Sequence, residues 1–254
     1  MENISFILPI QKESDLSEDK ALKTINSIIE IYGSKNSELI IPYANSVKST
    51  VKEFIDNSTL GHFKDVTYVE CEKDDFCSMA DKAIVSACST KYFSIVSVED
   101  EYTQNFLANF EKYSDDNKCS IYLYIGQIKN NEKPFVGFEN EIAWAMGYAT
   151  ESGYVDKGSL EGYADFNMLC SVVNTNDYIS AGRLNPEYGL VSWYEFLLRN
   201  ASLDRLIFVI PKVGFIHNSD NMEEWAERFT KDKDYAKNVS SLIDKALSEN
   251  NKEG

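Results

Sequence analysis

Apolar residues along this chain follow two alternating rhythms. Residues 4–10, ISFILPI, form a short, nearly unbroken apolar run, the pattern of a strand buried on both faces. Behind it Ala21, Leu22, Ile25, Ile28 and Ile29 recur at helical spacing, with Ser17 placed to cap the helix and Gly33 to end it. The order repeats, with strands expected at 38–42, 66–69 and 92–98 and helices at 46–55, 76–87 and 103–113. Continuous apolar strands alternating with helices predict a mostly parallel sheet with helices on both faces, a Rossmann-like α/β layout. Such sheets take ligands at the carboxyl ends of their strands. Leu8, Ile25, Ile40, Val69, Ile84, Ile95, Val96 and Leu107 are expected in one core between sheet and helices.

Past residue 113 the rhythm changes. A strand at 120–127, a Gly- and Asn-rich stretch, a helix around 139–148, a strand at 166–173, short helices at 175–181 and 192–200 and a strand at 206–211 predict a mixed second half. From 221 to 250, Trp225, Phe229, Val239, Leu242, Ile243 and Leu247 fall at helical spacing. The chain therefore divides into an α/β domain, 1–218, and a C-terminal helical extension with a polar tail, 219–254. That amphipathic face needs a cover. The reading places a partner there, with packing on the chain's own sheet as the alternative.

Charge and cysteine usage narrow the function classes. A net charge of −16 argues against nucleic acid or anionic membrane as partner, because phosphate binding draws on clustered basic residues. The five cysteines are odd in number and scattered, and only two histidines could join them in a metal site, so reduced thiols in a cytoplasmic protein are expected. The opening residues lack a basic, apolar leader pattern, and no apolar run is long enough to cross a bilayer, so neither secretion nor membrane insertion is expected. Neither a G-x-S-x-G nor a P-loop motif occurs.

The segments Met79-Ala80-Asp81-Lys82-Ala83-Ile84, Tyr92 through Glu99-Asp100-Glu101-Tyr102 and Asn105-Phe106-Leu107 follow one another as helix, strand end and helix. This succession resembles the family-2 glycosyltransferases of the GT-A fold, in which a strand ending in a metal-binding D-x-D lies between two such helices. The opening strand and helix, Asn176 through Asn185, Trp193 through Arg199, and Phe208 through His217 are similar to later parts of the family's outline. The resemblance spans roughly residues 4–217 and lies in order and pattern.

The resemblance also locates departures. It puts Ser97 where the first aspartate of the D-x-D belongs, with Glu99 and Asp100 behind it, and Ser192-Trp193 where the family carries its acidic catalytic pair. The second strand leads into Tyr43-Ala44-Asn45 without the usual base-binding aspartate. By resemblance, an active member would hold Mg2+ or Mn2+ and a nucleotide sugar through Glu99, Asp100 and His217, use Glu195 as general base, and contact the nucleotide through Tyr43 and Asn45. Glu99 to Glu101 also read as an acidic turn before the next helix, favoured by the helix dipole. A metal bridging two phosphates wants hard carboxylate ligands in fixed geometry, and one is lost. The expectation is a non-catalytic, glycosyltransferase-like structural or interaction subunit of an assembly, for which a phage virion is the suggested setting, with protein subunits as partners and no cofactor. The alternative is an active, metal-dependent inverting glycosyltransferase.

Overall fold

The computed structural model describes residues 3–17, 20–54, 61–116, 118–130, 132–218 and 233–250. The first half alternates as the apolar rhythm predicts: β1 (Ile4–Ile7), α1 (Lys20–Ile29), β2 (Glu38–Ala44), α2 (Lys48–Phe54), β3 (Asp65–Cys71), α3 (Phe76–Ala87), β4 (Tyr92–Ile95), β5 (Glu101–Tyr102) and α4 (Phe106–Asp116). The second half contributes β6 (Ile121–Lys129), β7 (Gly137–Glu139), α5 (Lys157–Gly162), β8 (Val172–Asn174), α6 (Thr175–Ser180), α7 (Ser192–Ser202), β9 (Ile207–Asn218) and α8 (Lys233–Asn250).

The strands form one sheet in the order β3-β2-β1-β4-β8-β6-β9-β5, with β7 added to β6. The pairings β3/β2, β2/β1, β1/β4 and β6/β9 are parallel. Those of β8 with β4 and β6, β5 with β9, and β7 with β6 are antiparallel and short. The result is a mixed sheet whose long ladders are parallel.

Both faces of this sheet are covered, which is why its strands are apolar at successive positions rather than alternate ones. Phe6, Leu39 and Ile41 face a core shared with Ile25 and Ile28 of α1, Val51 of α2 and Phe106 and Phe110 of α4. Ile7, Ile40, Phe93, Ile95, Leu123 and Val209 face a second core with Ala80 and Ile84 of α3 and Phe196, Leu197 and Leu198 of α7. The expected core residues are buried, apart from Val69, which is partly buried. They divide between two cores rather than one: Leu8, Ile25, Val96 and Leu107 lie on one face, and Ile40, Ile84 and Ile95 on the other.

Several elements differ from the sequence expectation, each for a local reason. The helix expected at 139–148 is instead the strand β7 followed by a 3-10 turn, Glu141–Trp144. Asn140 takes a left-handed φ of 64° there, and its amide donates to the Tyr124 and Asn167 carbonyls, which holds the segment against β6 and breaks helical continuity. The strand expected at 166–173 shrinks to β8, because Cys170 also adopts a left-handed conformation, φ 54°. Gly33, at φ 93°, opens a 3-10 turn beyond the end of α1 rather than capping it directly. Trp225 and Phe229 lie outside the described residues. On α8, Val239 and Ala246 are buried and Leu242, Ile243 and Leu247 are partly buried against the second core, beside α7. The chain itself covers this apolar face, so the helix's amphipathicity no longer argues for a partner.

Candidate functional site

The carboxyl ends of β1 and β4 open onto a cleft. Hydrogen bonds from Val96 N–H to the Ile7 carbonyl and from Leu8 N–H to the Ile40 carbonyl carry the parallel register of β4, β1 and β2 up to this edge. Beyond it the chain turns through residues 97–100, with Asp100 N–H donating to the Ser97 carbonyl. Glu99 sits in a left-handed conformation, φ 75°, and its N–H donates to Thr24 of α1 at 3.0 Å. Two chambers meet here. The larger, about 530 Å³, lies between Phe76 and Cys77 on one side and Leu169, Pro186 and Trp193 on the other. The smaller, about 130 Å³, is polar and includes Lys12, Asp15, Lys20 and Glu99. Gln11, Phe76 and Ser97 line both.

The acidic residues at this edge each have partners. Glu99 forms an ion pair with Lys20 at 3.0 Å. Asp100 is 1% exposed, and its Oδ1 accepts from His217 Nδ1 at 3.0 Å and from Asn218 N–H at 3.1 Å. Its Oδ2 is buried with no hydrogen-bond partner among the described residues. Burial disfavours the charged His217 ring, but its hydrogen bond to Asp100 and the charges of Asp100 and Glu139 outweigh this and raise its pKa. Glu139 is itself raised, mainly by burial, and accepts from Asn167 Nδ2 at 2.8 Å. Asn167 N–H donates back to Asn140 Oδ1 at 2.9 Å, so Asn140 and Asn167 brace this wall of the site.

The residues named from sequence separate into groups. Asp100 and His217 are brought together from 117 residues apart, and Glu99 is adjacent in sequence to Asp100 but turned toward α1. Among the described residues, no three His, Cys, Asp or Glu side chains converge to hold a metal ion. With Glu99 committed to Lys20 and Asp100 Oδ1 to His217, this donor set does not fit a divalent metal bridging two phosphates. Glu195 is 5% exposed, lines neither chamber, and is held by Arg199. Tyr43 is buried in the first core and Asn45 is exposed on a 3-10 turn, so neither lines the cleft.

At the place of the acidic catalytic pair, Ser192 is fully buried and its hydroxyl donates to the Asn185 and Gly189 carbonyls. Trp193 projects into the cleft and meets Phe76 edge to face, ring centroids 6.2 Å apart. Phe76, Cys77 and Leu169 were not among the expected site residues. No motif marks them, since α3 and the loop before β8 read in sequence only as apolar core.

No family model and no curated protein matches the chain. Solved structures do. The S. aureus TarS fragment 1-349 superposes with a TM-score of 0.63 at 12% identity, covering 90% of this chain and 64% of that one. The same fragment in complex with UDP gives 0.61 at 12% identity, covering 98% and 72%. The mannosyltransferase PcManGT from Pyrobaculum calidifontis, in complex with GDP-Man and Mn2+, gives 0.63 at 13%, covering 91% and 61%. This chain therefore spans under two thirds of the first of these and of the mannosyltransferase. Its fold is the GT-A-like glycosyltransferase fold, α/β with a mixed, mostly parallel sheet. Among the described residues, no helix is long and apolar enough to cross a membrane.

Proposed function

We propose that this chain is a glycosyltransferase-like domain that does not transfer sugar and serves as an interaction module, with protein subunits of an assembly as its partners. The observation that carries this reading is the state of the catalytic positions: Ser192 is buried at the start of α7, Trp193 lines the cleft with its ring against Phe76, and Glu195 is tied to Arg199. A general base must reach the acceptor hydroxyl, and none of these groups has a free carboxylate at the cleft. An exposed apolar cluster on the β6–β7 hairpin, Phe135, Val136 and Phe138, gives such a module a contact surface.

One observation favours the alternative of an active, metal-dependent inverting glycosyltransferase. Among the described residues, Asp100 Oδ2 is a buried carboxylate acceptor with no hydrogen-bond partner, on the side chain that His217 touches. Calorimetry with UDP-GlcNAc or GDP-mannose and Mn2+ separates the two. Binding weaker than about 1 mM, near −4 kcal/mol, is expected, and a low-micromolar dissociation constant with release of nucleoside diphosphate would establish the enzyme instead.

A further inference from the structure

The larger chamber has a composition unlike that of a sugar-diphosphate site. Phe76, Leu169, Pro186 and Trp193 form its walls, and the Phe76 and Trp193 rings meet at 69°, leaving a corner into which a third ring packs. Cys77 lies beneath them, and burial pushes its thiol up to about 11, so at neutral pH it is a neutral, apolar patch. Among the described residues, no lysine or arginine lines the chamber. Among the described residues its one charged lining group is Asp75, whose Oδ1 caps α3 by accepting from Ser78 N–H at 2.8 Å. An anion placed here would lose hydration beside a carboxylate with no cation to offset it. Lys12 and Lys20 belong to the smaller chamber, where Lys20 faces Glu99.

We propose that this chamber binds an uncharged ligand carrying an aromatic ring, seated in the Phe76–Trp193 corner with the Ser97 hydroxyl and the Gln11 amide oxygen to orient a polar substituent, the Gln11 nitrogen being held by the Asp74 carbonyl. This rests on the reading that the site does not transfer sugar. The volume of about 530 Å³ accommodates a one- or two-ring molecule, within the range of about 300–1,000 Å³ usual for small-molecule sites. A bare saccharide suits it less well. A sugar ring presents hydroxyls on every edge, and Ser97, Gln11 and the second oxygen of Asp75 match only a few of them against the apolar walls.

Saturation-transfer NMR on the full chain tests this with three probes: 2-naphthol, phenyl β-glucoside and methyl β-glucoside. The two aryl probes are expected to bind, with transfer strongest at ring protons, and methyl β-glucoside to bind at least tenfold more weakly. Trp193→Ala is expected to weaken the aryl probes tenfold or more. Leu169→Asp is expected to do the same by adding a charge rather than removing a wall, which keeps the test decisive if the tryptophan variant folds poorly. Failure of both aryl probes, equal binding of methyl β-glucoside, or unchanged aryl binding in folded Leu169→Asp would overturn the proposal. Those results leave the non-transferring reading standing, because that reading falls only if a nucleotide sugar with Mn2+ binds tightly and turns over.

Discussion

Arg199 grips Glu195 through two hydrogen bonds of 2.8 Å, Nε to Oε1 and an outer nitrogen to Oε2, across one turn of α7. The same guanidinium donates to the Ala181 and Arg183 carbonyls, at the end of α6, where Gly182 and Arg183 both take left-handed conformations. Glu195 thus fixes an arginine that satisfies the carbonyls of a strained turn. Glu195→Gln removes the charge from a nearly buried pair and is expected to cost about 3 kcal/mol, since breaking such a pair leaves an uncompensated cation. Urea denaturation reads this directly. An unchanged midpoint would release Glu195 for chemistry and weaken the proposed function.

The start of α5 gives a pH-dependent prediction. Asp156 caps this helix, with Oδ1 accepting from the N–H and hydroxyl of Ser159 at 2.7 Å each and Oδ2 from the Thr150 hydroxyl at 3.1 Å. Burial opposes its charge, but these hydrogen bonds outweigh that and hold the carboxyl below its ordinary pKa. A depressed folded pKa stabilises the protein above the unfolded value of about 3.9, and this is lost as pH falls through the folded value. Asp156→Ala is therefore expected to cost about 1 kcal/mol at neutral pH. The gap between variant and parent should narrow below about pH 4, and a gap that widens on acidification would contradict the assignment.

Gly214 marks the closest approach within the β6/β9 ladder. A Cβ there would lie 2.3 Å from Tyr124 Cγ and 2.7 Å from Tyr124 Cβ. Tyr124 has no room to retreat, being fully buried with its hydroxyl donating to the Phe106 carbonyl at 2.7 Å. Gly214→Ala is expected to destabilise by about 1–3 kcal/mol through overpacking, seen as a lower thermal midpoint. A neutral result would mean that the ladder is looser than this geometry.

Thiol reactivity reports on the buried interior. All five cysteines are free. Burial raises the thiols of Cys77 to about 11 and Cys119 to about 12, and raises Cys71 and Cys170 as well. At pH 8 only about one Cys77 in a thousand is thiolate. Iodoacetamide should label native Cys77 and Cys119 far more slowly than the urea-unfolded chain, as followed by mass spectrometry of peptides. Rapid native labelling of Cys77 would show an open, polar cleft.

Much of the first half was legible because its strands are covered on both faces. Residues such as Phe6-Ile7 and Leu39-Ile40-Ile41 serve opposite cores, so apolarity runs on without alternation, and the boundaries of α3 follow from its apolar spacing. The second half was less legible. Asn140 and Cys170 break their elements by left-handed backbone conformations that residue type alone does not announce, and the cover of α8 depends on residues of α7 distant in sequence.

The sequence by itself determined the α/β order, the two-sided burial of the parallel strands, the net charge of −16 and the absence of aspartate or glutamate at Ser97 and Ser192-Trp193, because each is a property of local pattern or residue identity. Only the tertiary structure decided what the remaining carboxylates do. Lys20 pairs with Glu99, His217 lies against Asp100 from more than a hundred residues away, and Arg199 takes Glu195 one turn along its helix. Whether a carboxylate is available for chemistry depends on the partner that reaches it in space, and the apolar corner of Phe76 and Trp193 likewise exists only once α3 and α7 meet above the strand ends.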